Sequence, residues 1–402
     1  MVLLNDCRDQ VNFGARALVD GLLQGLAAAL PGAVVQPIPS HWLLDITYGM
    51  GMFVDQGRDM VQPPAFFPTV ADQFEHLGDE WLAGRGGPGA EEFLARLRGA
   101  DVVVLNGEGS LYRTNLSAIR ELFLAWLAKT RLGIPTVFLN GTVHLTGVLP
   151  ILPAMVRKTF AELDAVAVRE PLSLRNLNEF VPGLDVQLIP DSAFLLDPSG
   201  AHHPPEMARI AEHVQGRPYF CFDPGPMVMD AGPGHRSALY ELISRLQEIV
   251  PEVVFVRSDA ADRFIRTVAE ETGSIYLDSI VDYRQWMALA AGARFLLSGR
   301  YHNPILASMV GCPTVALGST SHKVHGACEM LDGVIGRPFD GTDLRTQIGA
   351  IAARARDYDS RRDEYAGRLR EIAGMRRAEA AELGVSVRSA LAGNHSPRRV
   401  LR

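Results

Sequence analysis

Cysteine is scarce: four in 402 residues, at Cys7, Cys221, Cys312 and Cys328, without the spacing of a zinc site or a disulfide framework. Free thiols in a reducing compartment, with no bound metal and no cofactor, are the expectation. No apolar run reaches the ~18 residues of a membrane span. The opening Met1-Val-Leu-Leu-Asn-Asp6 lacks the charged and apolar stretches of a secretory leader. These absences point to a cytoplasmic protein with no integral membrane segment. Positive charge is not in excess either. Lys and Arg number 39 against 46 Asp and Glu, a net charge of −7. That argues against a nucleic-acid or anionic-membrane partner and leaves room for a local basic pocket. Also missing are a complete G-x-G-x-x-G fingerprint and a Gly-Lys-Ser phosphate loop.

What is present is alternation. Apolar runs at Val2–Leu4, Val34–Ile38, Asp101–Leu105, Pro135–Leu139, Asp164–Val168 and Val186–Ile189 read as strands, separated by stretches of helical spacing such as Leu18, Leu22, Leu26 and Leu30. A proline-rich stretch, Asp197 to Pro205, reads as a linker. Strands then resume at Tyr219–Phe222, Val253–Val256, Ile275–Leu277, Phe295–Leu297 and Thr314–Leu317, and beyond residue 342 the chain reads as helical. Buried parallel strands with helices between them imply an α/β protein with two doubly wound sheets. The expected division is an N-terminal Rossmann-like domain at 1–196, a linker at 197–216, a second Rossmann-like domain at 217–340, and C-terminal helices and tail at 341–402. C-terminal helices packing back on the first domain would make this a GT-B-like architecture, whose ligands bind between its halves. Residues 39–92, rich in glycine, proline and aromatics, read as a lid or acceptor-binding region or as plain structural elaboration. Self-association is left open.

Chemistry-bearing residues sit where strands end. After Phe295–Leu297, the segment Ser298-Gly-Arg-Tyr-His302 leads to Asn303-Pro304, a good N-cap and first-turn pair for a helix that ends near Val310-Gly311. Arg300 and His302 therefore fall beside a helix N-terminus, where unpaired N–H groups favour anions. Arg169 directly follows an apolar strand, and its guanidinium suits a carboxylate or phosphate; an ion pair with a nearby acid is the plainer explanation. In the loop Asn106-Gly-Glu-Gly-Ser110, Glu108 offers a carboxylate to an acceptor or acts as a base, although Gly-x-Gly often marks only a tight turn. Lys323 could add a cation after the last strand. Asp191 reads as a turn residue, Cys221 and Cys312 as core thiols, and His322 and His325 lack partners for a metal site.

Together these pieces resemble the polysaccharide pyruvyl transferase family: Asn12-Phe-Gly14, Val104-Leu-Asn-Gly-Glu-Gly-Ser-Leu111, Val168-Arg-Glu-Pro-Leu-Ser173, Ile189-Pro-Asp-Ser-Ala-Phe194, and Ser298 to His302 running into Gly311-Cys-Pro-Thr-Val-Ala316. The family's usual Arg-Leu-His falls on Arg300, Tyr301 and His302, with tyrosine in place of leucine. The resemblance implies transfer of pyruvate from phosphoenolpyruvate to a sugar of a glycan or glycan precursor, usually as a cyclic ketal, with phosphoenolpyruvate as co-substrate. It places the donor on Arg169, Arg300, Tyr301 and Lys323. It makes His302 and Glu108 catalytic and puts the acceptor near Asn12, Asn106, Gly107 and Ser110. A nucleotide-sugar glycosyltransferase, with Glu329 as its ribose-binding acid, and a non-catalytic anion-binding member are the alternatives.

Overall fold

The computed structural model describes residues 1–10, 12–40, 67–112, 116–200, 205–228, 233–258, 262, 264–278 and 282–393. The aromatic stretch 41–66, the linker residues 201–204 with His202 and His203, and the tail from His395 lie outside the described residues. Two compact units emerge, and their boundaries differ from the expected ones. The first comprises Met1–Asp9, Leu22–Ser192 and Ala380–Arg402; the second comprises Gln10–Gly21 and Ala193–Glu379.

The first unit holds six parallel strands: β1 (Val2–Asp6), β2 (Gln36–Pro39), β3 (Val103–Asn106), β4 (Thr136–Gly141), β5 (Ala165–Val168) and β6 (Gln187–Leu188), in the order β2-β1-β3-β4-β5-β6. β1, β3 and β4 are buried throughout, which explains why they read as unbroken apolar runs. Phe74, Leu77 and Trp81 share one helical face of Phe74–Leu82, and Ala90, Phe93 and Leu97 one face of Gly87–Leu97. Their rings pack on the helix Leu116–Thr130: Trp81 meets Phe123 edge-on at 5.3 Å and Phe74 meets Trp126 at 5.4 Å. Residues 67–92 are therefore part of the core of this unit, not a loop. Glycine density at 84–89 hides two helices joined by a tight turn.

The second unit has β7 (Tyr219–Asp223), β8 (Glu252–Val256), β9 (Ile275–Leu277), β10 (Leu296–Ser298) and β11 (Thr314–Ala316), in the order β11-β10-β7-β8-β9. The opening turns of the helix Phe13–Ala29 belong here. Phe13 stacks on Trp286 at 5.6 Å, and Tyr283 Oη donates to Asp20 Oδ2 at 2.9 Å. Of the C-terminal helices, Ile348–Ser360 and all but the end of Arg362–Ala380 also stay with this unit; only the chain from Ala380 joins the first. There the helix Glu382–Leu391 sets Gly384 so close to Ala29 that an added Cβ would lie 2.3 Å from its Cβ, and Ser386 Oγ donates to Gln187 at 2.9 Å. No helix among the described residues is long and apolar enough to cross a membrane.

Candidate functional site

Each sheet reverses its strand order once, between β1 and β3 in the first unit and between β7 and β10 in the second. In open α/β sheets the crevice at the carboxyl ends of such strands is the natural ligand position. Both reversals carry polar clusters.

At the first, Asn5 and Asn106 exchange amide bonds: Asn5 Nδ2 donates to Asn106 O at 2.8 Å and Asn106 Nδ2 to Asn5 O at 3.0 Å. Asn5 adopts φ 62° and shifts the register of β1 against β2. Two further non-glycine residues near these strand ends are left-handed, Glu108 at φ 37° and Asn140 at φ 60°. Such strain persists only where surroundings over-determine it, and it concentrates at functional sites. Here the bonds that do so are visible. Thr142 N donates to Glu108 O at 2.8 Å, Gly109 N donates to the Glu108 carboxylate, and Asn140 Nδ2 donates to Ser192 Oγ at 2.8 Å. Gly107 must be glycine, because a Cβ there would lie 2.3 Å from Phe138 Cζ. Glu108 and Ser110 are half-buried; Asn106 and Gly107 are buried.

Arg169 is fully buried in the same unit. Its Nη1 donates to Asp191 Oδ2 at 3.0 Å and its Nε to Thr142 Oγ1 at 3.0 Å. Glu170 beside it caps the helix Pro171–Phe180, accepting from Ser173 N at 3.0 Å. The expected open clamp is thus an interior ion pair in which Asp191, read as a turn residue, is the partner.

The second reversal is charged. Arg300 Nη2 donates to both oxygens of Asp262 at 2.5 Å, and its Nε lies 3.5 Å from Asp223 Oδ1. Both carboxylates are fully buried, and the Arg300 side chain keeps 13% of its surface exposed. Burial pushes the Asp223 carboxyl up to about 6; Arg300 opposes the shift, Asp262 adds to it, and donors from Ser258 and Asn303 oppose it. Asn303 is not the helix cap its position implied. The helix runs His302–Val310, and Asn303 Nδ2 instead donates to Asp223 Oδ2 at 2.7 Å and to Ser298 Oγ at 3.0 Å. A buried amide is better used joining two strand ends than capping an orphan N–H. The far end is as expected, with Gly311 left-handed at φ 78°. Gly299 and Gly225 lie face to face: a Cβ on Gly299 would sit 2.5 Å from Pro224 O, and one on Gly225 2.6 Å from Gly299 O.

His302, only 6% exposed, meets Tyr301 edge-on at 4.9 Å. A Cβ on Gly14 would come within 2.5 Å of His302 Nδ1. Gly14 N donates to Asn12 Oδ1 at 2.9 Å, so Asn12 caps the helix Phe13–Ala29. Two helix N-termini therefore bracket one imidazole, a setting suited to anions and to a held proton donor.

The sequence model for polysaccharide pyruvyl transferase matches residues 12–321. The chain belongs to the polysaccharide pyruvyl transferase family. It is a family of transferases, and the match runs from after β1 to beyond β11, so that it covers the Asn106–Ser110 loop and the whole β7/β10 reversal. A search of curated proteins finds no match. Among solved structures, sucrose-phosphate synthase from Thermosynechococcus elongatus is similar with a TM-score of 0.58 at 14% identity, over 98% of this chain and 99% of that one. UDP-GlcNAc 2-epimerase from Neisseria meningitidis, bound to UDP-GlcNAc, reaches 0.56 at 10% identity, over 98% and 99%. The N-terminal domain of Candida albicans trehalose-6-phosphate phosphatase reaches 0.58 at 10%, over 98% and 96%. At these identities the likeness establishes the fold, which is GT-B-like.

Against this family background, the expected residues fall into two groups. Arg300, Tyr301, His302 and Asn12 gather in the second unit, while Glu108, Asn106, Gly107, Ser110 and Arg169 gather in the first. Asn12 was expected with the N-terminal domain. It moves because the first turns of its helix pack on Trp286 and Tyr283. Lys323, half-buried, begins the helix Lys323–Met330 that follows β11. Sequence reasoning missed Asp223, Asp262, Asn5, Asn140 and Glu121. Asp223 was findable, since it ends the apolar run Tyr219-Phe-Cys-Phe just as Arg169 ends its own strand. Among the described residues no group of three His, Cys, Asp or Glu is placed to hold a metal ion.

Proposed function

We propose that the protein transfers pyruvate from phosphoenolpyruvate to a sugar of a glycan or glycan precursor, forming a ketal and releasing phosphate. The observation that carries this reading is His302 between two helix N-termini, two residues from an arginine held by Asp262 and Asp223. Phosphoenolpyruvate is a polyanion, and N–H donors at helix starts with a fixed guanidinium suit its phosphate. Arg300 and the N–H groups of the His302 helix receive the donor, Lys323 adds charge from the next helix start, and Tyr301 fixes the imidazole by edge contact. Arg169, locked to Asp191, supports the fold of the first unit rather than the donor.

His302 Nε2–H or Nδ1–H gives its proton to the methylene carbon of phosphoenolpyruvate, and C2 becomes an oxocarbenium-like electrophile. A sugar hydroxyl adds to C2 and gives its proton back to the His302 imidazole. The C2–O bond to phosphate then breaks, and a second hydroxyl closes the ketal, its proton leaving with phosphate. Proton transfer by a placed group is typically worth ~10²–10⁴-fold. Glu108, half-buried and fixed by its own strained backbone, is the carboxylate offered to the acceptor hydroxyls. Asn106, Gly107 and Ser110 build the loop that presents it, and Asn12 serves through the helix it caps.

Calorimetric titration of phosphoenolpyruvate and of UDP-sugars into wild type, Arg300→Ala and His302→Ala tests the assignment. Phosphoenolpyruvate should bind wild type and His302→Ala but not Arg300→Ala. Binding of a UDP-sugar in its place would sink the proposal in favour of a nucleotide-sugar enzyme.

A further inference from the structure

Glu121 is buried beneath the Asn106–Ser110 loop, on the helix Leu116–Thr130, and nothing above gives it a task. Its Oε2 lies 2.7 Å from Ser110 Oγ, and the same Oγ lies 2.7 Å from Gly107 O. A hydroxyl carries one hydrogen, and a carbonyl oxygen supplies none. If Ser110 donates to Gly107, the hydrogen between Ser110 and Glu121 must belong to the carboxyl group. The alternative spends the serine hydrogen on a carboxylate and leaves Gly107 O with only the Ser110 N–H, at 3.3 Å.

We propose that Glu121 is a positioning residue working as a neutral acid: it donates to Ser110 Oγ, which donates to Gly107 O and so holds the loop that presents Glu108. The inference rests on the reading that this loop serves the acceptor. Among the described residues, three charged or titratable groups face Glu121: Arg120 from its own helix, Glu108 from the loop and Cys7 just after β1. Burial pushes the Glu121 carboxyl up to about 8; the Ser110 hydrogen bond and Arg120 oppose that, and the Glu108 charge adds to it. The Glu108 charge thus adds to the burial that keeps the inner carboxyl, Glu121, neutral. Ionising Glu121 would turn the Ser110 hydrogen away from Gly107 and loosen the loop from within.

Linkage fixes the sign. The folded state keeps a proton that the unfolded chain releases near the ordinary glutamate value, so the contribution of Glu121 to stability is present at acid pH and is lost as pH rises towards about 8. Glutamine can donate to Ser110 as the neutral acid does but cannot ionise. Thermal unfolding of wild type and Glu121→Gln between pH 5 and 9 should therefore diverge, with wild type losing ground to the variant as pH rises. Parallel curves would overturn the proposal. Amide exchange across residues 107–110 should quicken in Ser110→Ala at every pH and in wild type above pH 8, while Glu121→Gln stays protected throughout. Fast exchange in Glu121→Gln at pH 6 would show that the ionised form is the one required, and would also overturn it. Neither measurement uses phosphoenolpyruvate or a sugar, so a failure here leaves the transferase reading standing, and a failure to bind phosphoenolpyruvate leaves the hydrogen relay standing.

Discussion

The two units place a polar cluster at the same point of the same architecture, yet they build it differently. At the β1/β3 reversal the work is done by amides, hydroxyls, an Asp6–Arg8 ion pair that reaches the surface, and a backbone bent into left-handed conformations at Asn5, Glu108 and Asn140. At the β7/β10 reversal φ is left-handed only at a glycine, Gly225, and the work is done by buried charge, with Asp223 and Asp262 around Arg300. Directed hydrogen bonds on a shaped backbone suit neutral hydroxyls; a fixed cation beside helix N-termini suits an anion. A shared fold supplies the location, and the side chains decide what it is for.

The largest effect that would test this contrast lies at His302. His302→Ala should lower phosphate release with a competent acceptor by ~10²–10⁴-fold while phosphoenolpyruvate still binds; an unchanged rate would remove the proton donor from the charged unit. Next comes the buried pair in the other unit. Asp191→Ala should cost about 3–5 kcal/mol in denaturant unfolding, because the Arg169 charge is stranded. If instead it tightens phosphoenolpyruvate binding, Arg169 has been released as an anion site and the contrast between the units fails. Gly107→Ala should cost about 1–3 kcal/mol through overpacking against Phe138, and Phe138→Leu in the same chain should recover part of that loss in the same unfolding assay. The smallest effect has the opposite sign. Glu108→Gly relieves a left-handed residue and should add about 1 kcal/mol of stability, measured by thermal unfolding, while lowering the rate with acceptor at unchanged phosphoenolpyruvate affinity.

Much of this was readable in advance. The strands of the described residues fall within a few residues of the apolar runs that announced them; for β1, β3, β4, β7 and β10 the reason is that a parallel strand buried on both faces needs continuous apolar sequence. Arg300 and His302 stood out for the complementary reason, as charged groups at the end of such a run. What escaped was set by tertiary context. Whether a strand-end arginine faces solvent or an acid depends on Asp191, which meets Arg169 only after β5 and β6 pair. Asn303 carried every mark of a cap, but the helix begins one residue earlier, at His302, and the Asn303 Nδ2 donates to the buried Asp223 carboxylate. The left-handed turns at Asn5 and Asn140 leave little trace in sequence, since asparagine tolerates that conformation in ordinary turns as well. The compact units depart from the expected bounds at Gln10–Gly21 and in the C-terminal helices for a similar reason: one helix can begin in one unit and end in the other, and composition does not record where its contacts change.

The main-chain contact between Gly225 and Gly299 fixes how far apart the loops after β7 and β10 can stand. A side chain at either glycine would push those loops apart, so the spacing holds only while both positions stay glycine. With both kept, variation changes which groups rim this crevice rather than its width. Under the proposed function, a change in the anion bound there is expected from positions outside the glycine pair, such as Lys323 at the start of the next helix.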